Sequence, residues 1–391
     1  MKTLVIGVGA AGNKAALAVA KENSEIDMED LVLINSTKKD IPADVEKSKD
    51  KPMVVILSQE DKGCGKERSA AKNITLTAIQ SGVLDLKEKV VGYDFVSIIA
   101  SLEGGTGSGA SPIIAKYCSQ MLGKNTHMFG FMGFAEDPRG LQNSVEYFQE
   151  LSDDITIHII NNADFLSHTG NNNKFVAERM ANEELCRRIR LLDGSMLEDS
   201  TQNIDSTDIY KVTNTRGYTM IGYMELENSL TDVNAFNRAC EKLVFSIKSP
   251  KCDEPGQTRM AVILNLSPLS EGAIDFKYTT LKEAFGNSYE TFTHKQYDSS
   301  LPEFIAVISA GQQMPLDKVK ELHTMYKATA DKVHKQKDSF FSEVASLAAT
   351  EENNMFDMEN GANSNRKTVS KEDFMKQFQT KPVSGGSAKK G

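Results

Sequence analysis

The segment Glu103-Gly104-Gly105-Thr106-Gly107-Ser108-Gly109-Ala110 constrains the fold more than any other part of the chain. It follows an apolar run ending at Leu102 and precedes a second apolar stretch from Ile113 to Leu122. That order predicts strand, glycine loop, helix. Four glycines with only Thr and Ser between them leave the backbone bare, so successive N–H groups can close on an anion at a helix start. The hydroxyls of Thr106 and Ser108 can donate as well. A di- or triphosphate is the ligand such a loop suits. The alternative is a flexible linker, but glycine-rich linkers are not normally wedged between a buried strand and a helix.

Short, unbroken apolar runs recur along the first part of the chain: Leu4 to Val8, Leu31 to Ile34, Met53 to Leu57, Phe95 to Leu102, Met128 to Phe134 and Ile155 to Ile160. Continuous rather than alternating apolar character predicts strands buried on both faces, as in a parallel sheet. With helical stretches between them, the strands predict a doubly wound α/β domain. Phe175 to Leu192 reads as one long helix. Met260 to Leu264 and Phe304 to Ile308 read as strands of a second, smaller α+β unit. An extended Lys- and Glu-rich helix follows from Leu316. The tail turns basic from Arg366 and has the composition of a disordered segment. The expected division is 1–174 for the α/β domain, 175–193 for the core helix, 194–311 for the smaller domain, 312–350 for the C-terminal helix and 351–391 for the tail.

Bulk properties exclude some functions. A net charge of −9 argues against nucleic-acid binding by the molecule as a whole. The five cysteines are scattered and lack CxxC spacing, which suits reduced thiols in a cytosol. No apolar run approaches the length of a membrane span, and the N-terminus begins a strand at Lys2 rather than a secretory leader. The expected setting is cytoplasmic, away from membranes.

Further glycine turns accompany the first. Gly7-Val8-Gly9-Ala10-Ala11-Gly12-Asn13 ends the first strand and fits G-x-G-x-x-G. A dinucleotide site would add an acidic residue after the second strand. This chain has Asn35-Ser36-Thr37 there, which disfavours a nicotinamide-dependent oxidoreductase. The P-loop pattern fails too, because Gly65-Lys66 is followed by Glu67 and position 60 is Glu. A third turn, Lys62-Gly63-Cys64-Gly65, follows the third strand. Loops at the carboxyl ends of parallel strands converge on one site, and three such loops would surround a polyphosphate. Downstream, Glu136 can accept from ribose hydroxyls and Arg139 can pair with phosphate, although an exposed charged turn reads as well. Asn161-Asn162 suits either a purine edge or a cap. Asn203-Ile204-Asp205-Ser206-Thr207-Asp208 places two carboxylates three residues apart. They suit a polarised water, Mg²⁺ or a helix cap.

In this order, the pieces resemble the tubulin/FtsZ GTPases. Gly104 to Gly109 is similar to the signature loop of that family, with Glu103 standing where a further glycine is usual and so bringing a charge beside the phosphates. The resemblance implies GTP and GDP as ligands, with Mg²⁺. It implies phosphate contacts from Gly9, Ala10, Ala11, Gly12, Asn13, Asn35, Gly63, Gly65, Gly104, Gly105, Thr106, Gly107 and Ser108. It also implies a ribose pair, Glu136 and Arg139, and guanine contacts from Asn161 or Asn162 and from Asn182. Asn203, Asp205 and Asp208 match the family's catalytic loop, which acts on the nucleotide of the neighbouring subunit. The implied function is a GTPase that polymerises head to tail. The long helix and basic tail resemble the plasmid- and phage-partitioning branch, TubZ, in which a DNA-bound adaptor engages the tail. In that reading direct DNA contact falls at most to the basic tail. The cell-division branch is the alternative, and a filament protein with little turnover is a further one.

Overall fold

The computed structural model describes residues 1–43, 45, 50–134, 136–151, 155–166, 173–197, 206–252, 258–286 and 288–332. Met1–His334 forms one compact unit; a second unit, Lys335–Gly391, lies outside the described residues except for what sequence says of it. The basic tail and the far half of the expected C-terminal helix therefore fall outside the description; residues 316–332 are helical.

Six parallel strands build the first part of the sheet: β1 (Thr3–Val8), β2 (Leu31–Asn35), β3 (Met53–Ile56), β4 (Phe95–Ser101), β5 (Asn125–Met132) and β6 (Thr156–Asn161). Their order is β3-β2-β1-β4-β5-β6. The unbroken apolar runs do what their pattern requires. Leu4, Val5, Ile6 and Val8 are all fully buried, with neighbours alternating between two cores on opposite faces. Helices α1 (Gly9–Glu22), α2 (Arg68–Gln80), α3 (Gly105–Lys116), α4 (Pro138–Glu150) and α5 (Lys174–Leu192) supply the layers that cover the faces.

The sheet does not stop there. A two-residue parallel bridge, Thr156 with Gly217 and Ile157 with Tyr218, joins β6 to β7 (Gly217–Glu225). The sheet then continues through β10 (Phe304–Gln312) and β8 (Thr258–Asn265) to β9 (Ser288–Gln296), ten strands among the described residues. The smaller α+β part thus shares one continuous sheet with the first. Between the two parts lies α6 (Ser206–Thr213).

The start of α3 departs from the expected loop. The helix begins at Gly105, inside the glycine run, and runs through Pro112 to Lys116. Low helix propensity is overridden here by close backbone approach. A Cβ on Gly105 would lie 2.7 Å from Lys66 Cα, and one on Gly109 would lie 2.6 Å from the Arg68 carbonyl oxygen. Only glycine lets α3 sit this near the loop that precedes α2.

Candidate functional site

The loops after β1, β2, β3 and β4 meet at the carboxyl edge of the sheet around a cavity of about 280 Å³. Its wall is formed by Val8 to Ala11, Asn35, Asp40, Gly63 to Lys66, Ser101 and Gly104 to Gly107. These loops touch through backbone. Gly9, at φ +77°, leaves room for the Gly107 amide, since a Cβ there would lie 2.8 Å from that nitrogen. The Ser36 and Thr106 hydroxyls share a hydrogen bond of 2.9 Å, which ties the second loop to the fourth. The helices α1 and α3 both begin at this cavity, so their first N–H groups and dipoles favour an anion in it.

One further observation points to a ligand. Asn35 is 1% exposed and lines the cavity. Its Oδ1 accepts from the Ser36 amide at 2.8 Å, but its Nδ2 has no hydrogen-bond partner among the described residues. A buried donor left this way is costly unless something else accepts from it. A phosphate oxygen is such an acceptor.

The cavity gathers Gly9, Ala10, Ala11, Asn35, Gly63, Gly65, Gly104, Gly105, Thr106 and Gly107 of the expected phosphate residues. It does not gather the rest. Gly12 lies beneath the wall, where any Cβ would run into the Ile99 carbonyl. Asn13 is fully buried and its Nδ2 donates to the Ile34 carbonyl at 3.3 Å. Ser108 is also fully buried and its hydroxyl donates back to the Gly104 carbonyl, so it is turned away from a ligand. Glu103 does not put its charge in the cavity wall, contrary to expectation. Its side chain packs over Gly133 and Gly140, at the end of β5 and the start of α4, because those glycines leave space for it.

Glu136 and Arg139 lie at the entry to α4, outside the cavity wall. Glu136 pairs with Lys174 at the start of α5. The Arg139 guanidinium pairs with Glu67 and donates to Gln142 at 2.8 Å. Of the two asparagines after β6, Asn161 serves the local turn: its Nδ2 donates to Asp164 at 2.7 Å and its Oδ1 accepts from the Ala163 amide. The buried Oδ1 of Asn162 has no partner among the described residues. Asn182 is half-buried on α5, and Phe175, two turns earlier, is 83% exposed. Asn203 and Asp205 lie outside the described residues. Asp208 stands in the first turn of α6 and pairs with Lys211 at 2.8 Å.

Sequence reasoning missed three residues near the cavity. Asp40 and Lys66 line it. Asn143, fully buried on α4, donates from Nδ2 to the carbonyls of Lys66 at 3.1 Å and Glu103 at 3.0 Å, which pins the third loop to the glycine loop. The lysine after Gly65 was visible in sequence; nothing local signalled the other two.

The opposite edge of the sheet carries α6. Tyr210 packs its ring on Phe95, the first residue of β4, with centroids 5.7 Å apart, and the Thr213 carbonyl accepts from Thr156, the first residue of β6. The glycine loop follows Ser101, the last residue of β4. A seven-residue strand spans about 20 Å, so Asp208 and the cavity stand at opposite ends of the sheet.

Among the described residues no helix is long and apolar enough to cross a membrane. The family model described as the Tubulin/FtsZ family, GTPase domain, matches residues 2–170. The cell division protein FtsZ of Mycoplasmopsis pulmonis is 24% identical over 316 residues, covering 78% of this chain and 76% of that protein. The crystal structure of Clostridium botulinum phage c-st TubZ superposes with a TM-score of 0.66 at 17% identity, over 85% of this chain and 99% of that one. CetZ2 from Haloferax volcanii, described as a GTPγS-bound protofilament, superposes with a TM-score of 0.69 at 16% identity, over 85% of this chain and 100% of that one. Four strand-end loops closing on one cavity, together with these matches, lead to one conclusion: the chain has the tubulin/FtsZ fold, and its residues 2–170 match the GTPase domain of the Tubulin/FtsZ family.

Proposed function

We propose that this protein binds GTP in the loop cavity and hydrolyses it where two copies meet head to tail, and that the resulting filament moves or positions plasmid or phage DNA. The observation that carries the first part is the separation of the cavity from α6. Asp208 cannot serve phosphates in its own cavity from the far edge of the sheet. A second copy stacked pole to pole brings its α6, with Asn203 and Asp205 just before it in sequence, to the first copy's phosphates. A contact of this kind repeats without closing and so builds a polymer.

In this reading the α1 and α3 helix starts and Asn35 hold phosphates, Asn162 accepts from the guanine edge, and Asn182 contacts the base from α5. Glu136 takes the ribose hydroxyls after exchange from Lys174, with Arg139 beside it. Phe175 offers an exposed aromatic face on the same side of α5. The donor set of Asp40 and the Thr106 hydroxyl suits Mg²⁺, which takes few protein oxygens and fills its shell with phosphate and water. Bound there, Mg²⁺ would neutralise phosphate charge. The aspartates of the neighbour orient the attacking water, and cleavage of the terminal phosphoanhydride follows from positioning and electrostatics.

The DNA role draws support from the fold shared with TubZ and from the basic residues after Arg366. An adaptor bound to DNA would engage that tail. The length of the match to FtsZ favours a second reading, a cell-division filament. Light scattering and phosphate release after GTP addition test the shared core of both. Scattering should rise, and release per subunit should climb steeply with protein concentration. A rate per subunit that is unchanged on dilution would overturn the proposal. Removing residues 366–391 separates the two readings: filaments persist, and either a marked plasmid or a division ring loses its attachment.

A further inference from the structure

Gln296 is the last residue of β9, in the smaller part of the molecule, and it is 2% exposed. A primary amide in a core costs free energy unless its donor and its acceptor are both taken up. Here they are. Its Nε2 donates to the Met196 carbonyl at 3.0 Å, across 100 residues of sequence. Its Oε1 shares a hydrogen bond of 2.9 Å with Nε2 of His294, two residues back and also buried. A methionine would fill the same space without that demand, so what the amide adds is a hold on one carbonyl.

That carbonyl stands where the chain leaves α5. Gly194, at φ +81°, turns the chain out of the helix. The Met196 amide then donates to the Arg190 carbonyl at 3.3 Å, and the Leu197 amide to the Gly194 carbonyl at 2.9 Å. Asn203, Asp205 and Asp208 come next in sequence. The same strand borders the chain again beyond them. Side chains two apart on a strand share a face, so Phe292 lies on the face of His294 and Gln296. Lys211 Nζ is 5.7 Å from the centroid of the Phe292 ring, and Lys211 is paired with Asp208. Met196, Val212 of α6 and Phe292 belong to one apolar cluster. One face of β9 therefore grips the chain both before and after Asn203 and Asp205.

We propose that Gln296 is a positioning residue for hydrolysis. Through the Met196 carbonyl it fixes the entry to the chain that carries the acids, and Phe292 steadies Lys211 at the exit. β9 thereby aims Asp208 and its neighbours at the nucleotide of the next copy. This rests on the reading above, in which hydrolysis occurs between copies, and adds the residue that sets the aim.

The test uses the full chain. Gln296→Met keeps the length of the side chain and removes the donor. Affinity for a non-hydrolysable GTP analogue, measured below assembly, should stay within twofold of wild type. Phosphate release at saturating GTP should fall about ten- to a hundredfold, the scale of a small misplacement of catalytic groups. Phe292→Leu, at a half-buried position, should lower the rate about threefold at unchanged affinity. Mixing separates aim from folding. In an equal mixture with Gly105→Ala, whose added Cβ deforms the cavity, Gln296→Met supplies sound cavities and the other chain supplies well-placed acids. Up to about a quarter of the wild-type rate should then return. Mixed with Asp208→Ala, which damages the same face, Gln296→Met should gain nothing. A wild-type rate in Gln296→Met, or recovery with Asp208→Ala, would overturn the positioning role and leave the GTP reading standing. If Gln296→Met has lost nucleotide binding, Phe292→Leu decides, and a wild-type rate there overturns the role as well. A wild-type chain whose rate per subunit ignores dilution takes down both readings.

Discussion

His127 and His158 face each other in the core between β5 and β6, and they set a limit on the pH range of the fold. Their rings stack at 12°, and Nδ1 of the first shares a hydrogen bond of 3.1 Å with Nε2 of the second. Phe129 stacks on His158 and Phe95 meets His127 edge-on. The outer nitrogens, His127 Nε2 and His158 Nδ1, have no partner among the described residues. Burial therefore pushes His127 down to about 3, and it holds His158 well below the ordinary range, helped by the charge of Arg188 and the neighbouring ring. In the unfolded chain both titrate near 6.5. Only the unfolded state then takes up protons as pH falls below that value, so stability present at neutral pH is lost through the acid range. Each histidine removes about 1.4 kcal/mol per pH unit below 6.5, or roughly 2–3 kcal/mol for the pair at pH 5.5. Urea midpoints at pH 7.5 and 5.5 measure the effect. The double variant His127→Leu/His158→Phe should flatten the difference, and a wild-type midpoint that ignores pH in this range would contradict the argument.

At the level of elements, α5 shows how a legible helix hides an illegible interaction. Its apolar spacing announced the helix, and the structure extends it by one residue, from Lys174 to Leu192. The fully buried Arg188 pairs with Glu184 one turn earlier at 2.8 Å and donates to the Ile159 carbonyl of β6 at 3.1 Å. Glu184→Ala would leave that guanidinium buried beside a single carbonyl, and removal of one partner of a buried pair costs about 3–5 kcal/mol. Chemical denaturation should show that loss, and the double variant Glu184→Leu/Arg188→Met should recover most of it. The strands divide in the same way. β1, β2, β4, β5 and β6 were readable because both their faces are buried and their apolar runs are long; β3, at one edge of the sheet with Val54 exposed, was readable from its unbroken apolar run alone. β9 was not: Ser288–Gln296 lies at the edge of the sheet, where one side needs no partner and charged and hydroxyl side chains are tolerated. β7 was hidden by the two glycines and two tyrosines within Gly217–Glu225, which break the aliphatic run. In the cavity, the glycine turns were visible because backbone contact demands their residue type at each position. Asp40 and Asn143 were not, because their roles come from which loops the sheet brings together rather than from their neighbours in sequence.

For the whole molecule, hydrolysis turns on whether one subunit owns a complete site. If the pocket and the aspartates work across a contact, two variants that are each inactive should repair one another. Asp208→Ala keeps the cavity intact, since Asp208 stands at the far edge of the sheet and its recorded ion pair is with Lys211 in the next turn of its own helix; GTP affinity should be unchanged while hydrolysis falls by 10²-fold or more, the scale expected for loss of a group that orients the nucleophile. Gly105→Ala does the reverse. Its new Cβ would press on the Lys66 backbone at 2.7 Å and deform the phosphate cavity, while α6 is left as it was. Neither variant alone should release phosphate at a useful rate. In an equal mixture, one kind of contact in four joins a sound cavity from the first variant to a sound α6 from the second, so up to about a quarter of the wild-type rate should return, provided contacts form at random. Repair requires the two faces to come from different copies, and no rearrangement within a single subunit can imitate it. A mixture that stays as silent as its components, under conditions where both variants co-sediment with the filament, would place the catalytic acids elsewhere and leave Asp208 with a structural task on α6.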